Sequence, residues 1–91
     1  MMNYWNIKAK RLLKSELVKR GVSNSDLAIL LKGVGFEETK SGIDSKISRG
    51  TFSASFFLQS LSVIGCKNVS LEGLQMSKAA DPIIKYERTE K

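Results

Sequence analysis

The chain has 91 residues, 42% of them hydrophobic, with a formal net charge of +6, one cysteine and no histidine. That suffices for one small domain with a single modest core; it excludes an internal disulfide, and the missing histidine removes the familiar zinc sites and nucleophile–base pairs. No apolar stretch of signal-peptide type opens the sequence and none approaches the roughly 18 residues of a membrane span, so the expectation is a cytoplasmic protein with no membrane, metal or cofactor.

Asn3 reads as the N-cap of a first helix running from about residue 4 to residue 20 and closed by Gly21. At about 100° per residue, Trp5, Ala9, Leu12, Leu13 and Leu17 share one arc, while Lys8, Arg11, Lys14 and Lys19 lie mostly opposite. The pattern predicts an amphipathic helix with a basic outer face. Glu16 breaks it, projecting from the apolar arc, where an unpaired carboxylate would cost several kcal/mol. Its candidate partners are Arg49 or Lys46 from elsewhere in the chain, Arg20 one turn on, or water at the edge of the interface. Trp5 reads as a cap over the core rather than a platform for stacking bases.

Ser23 followed by Asp26 has the form of a capping box and opens a second helix. Leu27, Ala28, Leu30 and Leu31 form its buried face, Gly33 and Gly35 supply the stop, and Phe36 is expected to fold back onto the core. Glu38 or Thr39 can cap a third helix reaching about Arg49, in which Ile43 and Ile47 are the only apolar anchors. Such a helix hides one narrow stripe and offers Lys40, Ser41, Asp44, Ser45 and Lys46 to the outside. Both lysines are expected to be exposed, so that truncating either leaves the fold intact.

Gly50 reads as a left-handed residue ending the third helix. Ser53 then caps a fourth, in which Phe56, Phe57, Leu58, Leu61 and Ile64 are spread too widely for one stripe; this predicts the most buried element, closed by Gly65. Residues 68–71 suit either an extended piece or the approach to one more helical turn ending near Leu74. The expected division is a helical domain over residues 1–76 and a flexible charged tail over 77–91, with Ile83, Ile84 and Tyr86 as a possible docking patch for a protein partner.

These elements resemble a helix-turn-helix DNA-binding domain of the lambda-repressor/Cro-like superfamily: "GVSNSDLAILL" is similar to its second helix and "ETKSGIDSKISRG" to its recognition helix. More specifically, "AKRLLKSELVKRGVSNSDLA" followed by "KISRGTFSASFFLQSL" resembles a family of small bacterial proteins known as a domain of unknown function, over roughly residues 5 to 71. The superfamily likeness implies an all-α fold of four to five short helices and duplex DNA as partner. It places Lys40, Ser41, Asp44, Ser45 and Lys46 at base edges or nearby phosphates, and Ser23, Asn24 and Ser25 at a phosphate held by the start of the second helix. Arg49, Thr51 and Ser53 would hold the backbone on the far side of the recognition helix, and Lys8 and Arg11 would add phosphate contacts from the first. A homodimer reading two half-sites is expected, with residues 69–74 and the tail as the surface to inspect.

One departure from the helix-turn-helix pattern is the connection between the second and third helices, longer by roughly six residues than the tight arrangement. The segment "KGVGFEE" either extends the second helix by a turn or opens the turn into a loop. Glu37 and Glu38 place negative charge there, and the positive surplus sits on the first helix, whose six cations, Lys8, Lys10, Arg11, Lys14, Lys19 and Arg20, face Glu16 alone. A docking face built on the first helix therefore rivals groove reading by the third. No acid–base pair, activated nucleophile or phosphate-cradling glycine loop can be assembled, so a non-enzymatic DNA-binding protein is expected. The alternative is a protein-interaction module on the same scaffold.

Overall fold

The computed structural model of the chain describes residues 3–71, and within them four helices: α1 Tyr4–Lys19, α2 Asn24–Gly33, α3 Lys40–Arg49 and α4 Ala54–Val63. The chain is all-helical over these residues, without a strand. Residues 68–71 belong to no helix or strand, while the proposed turn near Leu74 and the tail lie outside the described residues.

Each helix starts where a short polar side chain can satisfy amides that have no partner within the helix. Asn3, Ser23, Thr39 and Ser53 are the four caps, each accepting a hydrogen bond from the backbone amide three residues on. Asp26 completes the capping box by accepting from the Ser23 amide at 3.1 Å. Of the two caps available to α3, Thr39 is used: its Oγ1 accepts from the Gly42 amide at 2.9 Å.

The core is assembled from pairs. Leu13 and Leu17 of α1, Leu27 and Leu31 of α2, and Ile43 and Ile47 of α3 are spaced four apart and buried, and Phe56 and Leu61 of α4 meet them. Four-residue spacing places two side chains on one face one turn apart, so each of the first three helices turns a single ridge inward. α3 packs on α1 and α2, and α4 packs on the same two. Phe52 stands just ahead of α4 with its ring 5.6 Å from Phe56 and 5.7 Å from Phe57, which lets the chain leave the basic turn at Arg49 and enter the core within three residues.

Three apolar expectations are corrected. α4 is not buried all round: Phe56 and Leu61 are inside, but Leu58 is 65% exposed, because α1 and α2 cover only one side of the helix. Phe36 stays at the surface; its amide donates to the Leu31 carbonyl at 2.9 Å, closing the end of α2 and holding residue 36 in the turn outside the core. Trp5 is 54% exposed, its ring edge-on to Tyr4 at 5.1 Å. Val69 is half-buried against the core.

The long connection opens as a loop. α2 stops at Gly33, Gly35 takes a φ of 93°, and residues 34–39 lead to the Thr39 cap without adding a helical turn.

Glu16, 7% exposed, finds its cations on its own helix, not on α3: Arg20 binds Oε1 and Lys19 binds Oε2 at 3.2 Å. The Cys66 thiol lies 3.6 Å from Oε1 of Glu16 and 3.4 Å from the Asn68 carbonyl, so one proton has two acceptors and the segment after α4 is tied to α1. Hydrogen bonds from Arg20 and then Lys19 hold the Glu16 carboxyl below its ordinary range, against the opposing effect of burial.

Gly50 ends α3 at φ 70°, and a Cβ there would stand 2.6 Å from the Asn6 carbonyl oxygen of α1. Gly50→Ala therefore meets both a left-handed strain and a backbone clash, and is expected to destabilise the domain by roughly 2 to 4 kcal/mol, read from the denaturation midpoint. For Glu16, a depressed folded-state pKa means the stabilisation is complete above the ordinary carboxylate range and is lost as pH falls through the folded value. Glu16→Gln should lower the melting temperature at neutral pH, and the gap to wild type should close as the solution is acidified below that range.

Candidate nucleic-acid interface

α3 owes its open face to its composition. With Ile43 and Ile47 inward, a turn of about 100° per residue sets Ser41, Ser45, Ser48 and Arg49 on the opposite side, and all four are exposed. Of these, Ser41, Ser45 and Arg49 were anticipated as site residues; Ser48 was not, although the same periodicity could have found it.

The remaining candidates on α3 lie on its flanks and are engaged by neighbouring elements. On one edge, Asp44 Oδ2 accepts from Lys40 Nζ at 2.6 Å and Oδ1 accepts from Asn24 Nδ2 at 2.7 Å. These bonds, from Lys40 first and Asn24 second, draw the Asp44 carboxyl below its ordinary range, so it is an anion on the rim of the helix. On the other edge, Lys46 pairs with the Glu38 carboxylate and sits 4.9 Å above the Phe56 ring. Its side chain keeps 38% of its exposure while that of Glu38 keeps 16%. Lys46 is thus a brace between the α2–α3 loop and the core rather than a free group facing a groove.

The expected phosphate site at the start of α2 is largely self-satisfied. The Ser23 amide donates to Asp26, the Ser23 hydroxyl accepts from the Asp26 amide at 3.0 Å, and the Asn24 amide group serves Asp44. Ser25 is exposed there, but its two chain neighbours are Asp26 and Asn24, whose side chain holds the Asp44 carboxylate. At the far end of α3, Ser53 is spent as the cap of α4, accepting from the Phe56 amide at 3.0 Å, and Thr51 is exposed.

α1 and the end of α3 meet closely. Besides the Gly50–Asn6 approach, Lys10 Nζ donates to the Ser48 carbonyl at 3.3 Å, supplying a cation to the negative end of the α3 dipole. Lys8 lies 5.2 Å from the Tyr4 ring centroid, and Arg11 and Lys14 are exposed. Among the described residues, Lys8, Lys10, Arg11, Lys14 and Arg49 form no ion pair with a carboxylate, whereas Lys19 and Arg20 are neutralised by Glu16. The pairs Lys8–Arg11, Lys10–Lys14 and Arg11–Lys14 put like charges at i,i+3 or i,i+4, each unfavourable by about 0.2 to 0.5 kcal/mol in an isolated helix. α1 carries no acidic residue in its first turn to offset them. Among the described residues Lys10 is offset by the Ser48 carbonyl and Lys8 by the Tyr4 ring, and no ion pair offsets Arg11 or Lys14.

Elsewhere an exposed apolar row, Ile29, 69% exposed, with Leu30, Val34 and Phe36, runs along the later part of α2 and its turn; Leu30 is thus outside the buried face expected for it, which Leu27 and Leu31 fill. No three Cys, Asp or Glu side chains gather among the described residues in a way that could hold a metal, and no helix there is long and apolar enough to cross a membrane.

Together these features define a small all-helical domain whose polar third helix is open on one side and flanked by an unneutralised basic helix. The chain belongs to a family described as a domain of unknown function, DUF6471, whose model matches residues 5–69. No curated protein and no solved structure matches it.

The flanking lysines of α3 should behave differently from each other. Lys40→Ala removes only an exposed pair and is expected to change stability by less than about 0.5 kcal/mol. Lys46→Ala strips the partner from a mostly covered Glu38 and the cation from the Phe56 ring, and should cost about 1 kcal/mol in thermal or chemical unfolding.

Proposed function

We propose that this protein binds double-stranded DNA as a helix-turn-helix-like module of lambda-repressor type, acting as a small transcriptional regulator or chromosome-associated factor and engaging its sites as a homodimer. The observation that carries the reading is the uncovered face of α3, Ser41, Ser45, Ser48 and Arg49, beside cations of α1 that pair with no carboxylate among the described residues. A helix is the element that enters the major groove, and hydroxyls with one arginine can donate to and accept from base edges without the desolvation that an apolar face would demand. Lys8, Lys10, Arg11 and Lys14 supply the phosphate contacts that give such a complex most of its affinity. A small single module gains affinity and discrimination by pairing two half-sites, which is the reason for a dimer.

A second reading rests on the exposed row Ile29, Leu30, Val34 and Phe36: a non-enzymatic protein-interaction module, with α2 offered to an apolar partner. Salt separates the two. Fluorescence anisotropy of a labelled random-sequence duplex, titrated with the purified protein, should show binding that weakens by orders of magnitude between ~50 and ~200 mM salt. Absence of binding at the lower salt would overturn the DNA reading and favour the protein-interaction module.

A further inference from the structure

The charge on this domain is arranged along an axis. At one end, around the start of α2 and the α2–α3 loop, Asp26, Glu37, Glu38 and Asp44 are met by Lys40 and Lys46, and both of those lysines are held in ion pairs. At the other end, the first half of α1 lies against the C-terminal end of α3 through Asn6–Gly50 and Lys10–Ser48, and there Lys8, Lys10, Arg11, Lys14 and Arg49 pair with no carboxylate among the described residues. Among the described residues Lys32 and Lys67 also lack a carboxylate partner, but there Lys32 is the only cation on α2 and Lys67 the only one after α4.

We propose that the phosphate backbone of duplex DNA is gripped at the joint between α1 and the C-terminal end of α3, by Lys10, Arg11, Lys14 and Arg49, with the start of α2 turned away from it. This rests on the DNA-binding reading above; of the phosphate contacts that the helix-turn-helix likeness implies it keeps those of α1 and Arg49 and removes the one at the start of α2. Three observations carry it. At the start of α2 the Ser23 amide is engaged by Asp26 and the Asn24 side chain by Asp44, which brings two carboxylates to where an anion would have to approach. The α3 C-terminus, ordinarily repulsive to phosphate, has its Ser48 carbonyl covered by Lys10 and is bordered by Arg49. Among the described residues no carboxylate pairs with the like charges of Lys10, Arg11 and Lys14, Lys10 having only the Ser48 carbonyl, and a line of phosphates is the counter-charge that turns their repulsion into attraction. The close Gly50–Asn6 approach makes the two helices one rigid support, so that cations from different elements are held on the same surface.

The test compares three full-length proteins on one labelled random-sequence duplex, by anisotropy across a salt series from ~50 to ~200 mM. Arg11→Ala with Lys14→Ala should weaken binding at least tenfold at the lower salt and reduce the log–log salt slope by about 1 to 2. Its melting temperature should be unchanged or higher, since removing mutually repelling charges cannot harm the fold. Ser25→Glu, which adds charge at the start of α2, should bind within about twofold of wild type. If Ser25→Glu loses binding while the double variant keeps it, or both lose it equally, the proposed end is wrong although the protein still binds DNA. Failure of the wild type to bind at the lower salt overturns this proposal together with the DNA reading.

Discussion

α3 is located by a close backbone approach as well as by its side chains. It brings only Ile43 and Ile47 to the core, too little apolar surface to fix a ten-residue helix firmly by burial alone. What positions it is the passage of α1 across its end, where Gly50 comes so close to the Asn6 carbonyl that no side-chain carbon fits between them. The left-handed turn at Gly50 also redirects the chain, so that Phe52 reaches the core and Ser53 can cap α4. Everything the open face of α3 could do depends on that contact. A shift of α1 there would carry the Ser48 and Arg49 end of the helix with it.

Much of this architecture is written locally. Caps at Asn3, Ser23 and Ser53 are legible because a short polar side chain at a helix start has one dominant use, and the apolar pairs four apart name the inward ridges directly. Thr39 competed with Glu38 for the same duty, and only the geometry of the loop decided between them. Leu58, Phe36 and Trp5 were harder to place because hydrophobicity tells what a residue would gain by burial, not whether a neighbouring element exists to bury it. Four helices of these lengths cannot cover every apolar side chain.

The outer face of α3 was legible in the sequence and the partners of its flanking side chains were not, for a reason rooted in electrostatics. Periodicity identifies the outer face of α3, but ion pairs between elements far apart in sequence are invisible to it. Lys46 was therefore assigned to the surface when it braces Glu38 and shields Phe56, and Asn24 was offered to phosphate when it is occupied by Asp44. Glu16 shows the opposite outcome: Arg20, one turn away on the same helix, was among its candidate partners and is the one used, joined by Lys19. Local pairs can be read from spacing. The distribution that matters for function, one end of the domain neutralised and the other not, emerges only when both kinds of pair are known.

Ser60 carries a consequence of another sort. It is completely buried in α4, and its hydroxyl has no hydrogen-bond partner within the described protein, a condition that costs about 1 to 3 kcal/mol. In a domain this small such an amount is a sizeable part of the whole stability. An alanine would fit the same space without the penalty, so the chain holds less stability than its own backbone permits. The shortfall lies in the helix that braces both α1 and α2, which gives this molecule an unused margin from which costlier changes on its exposed faces could be tolerated.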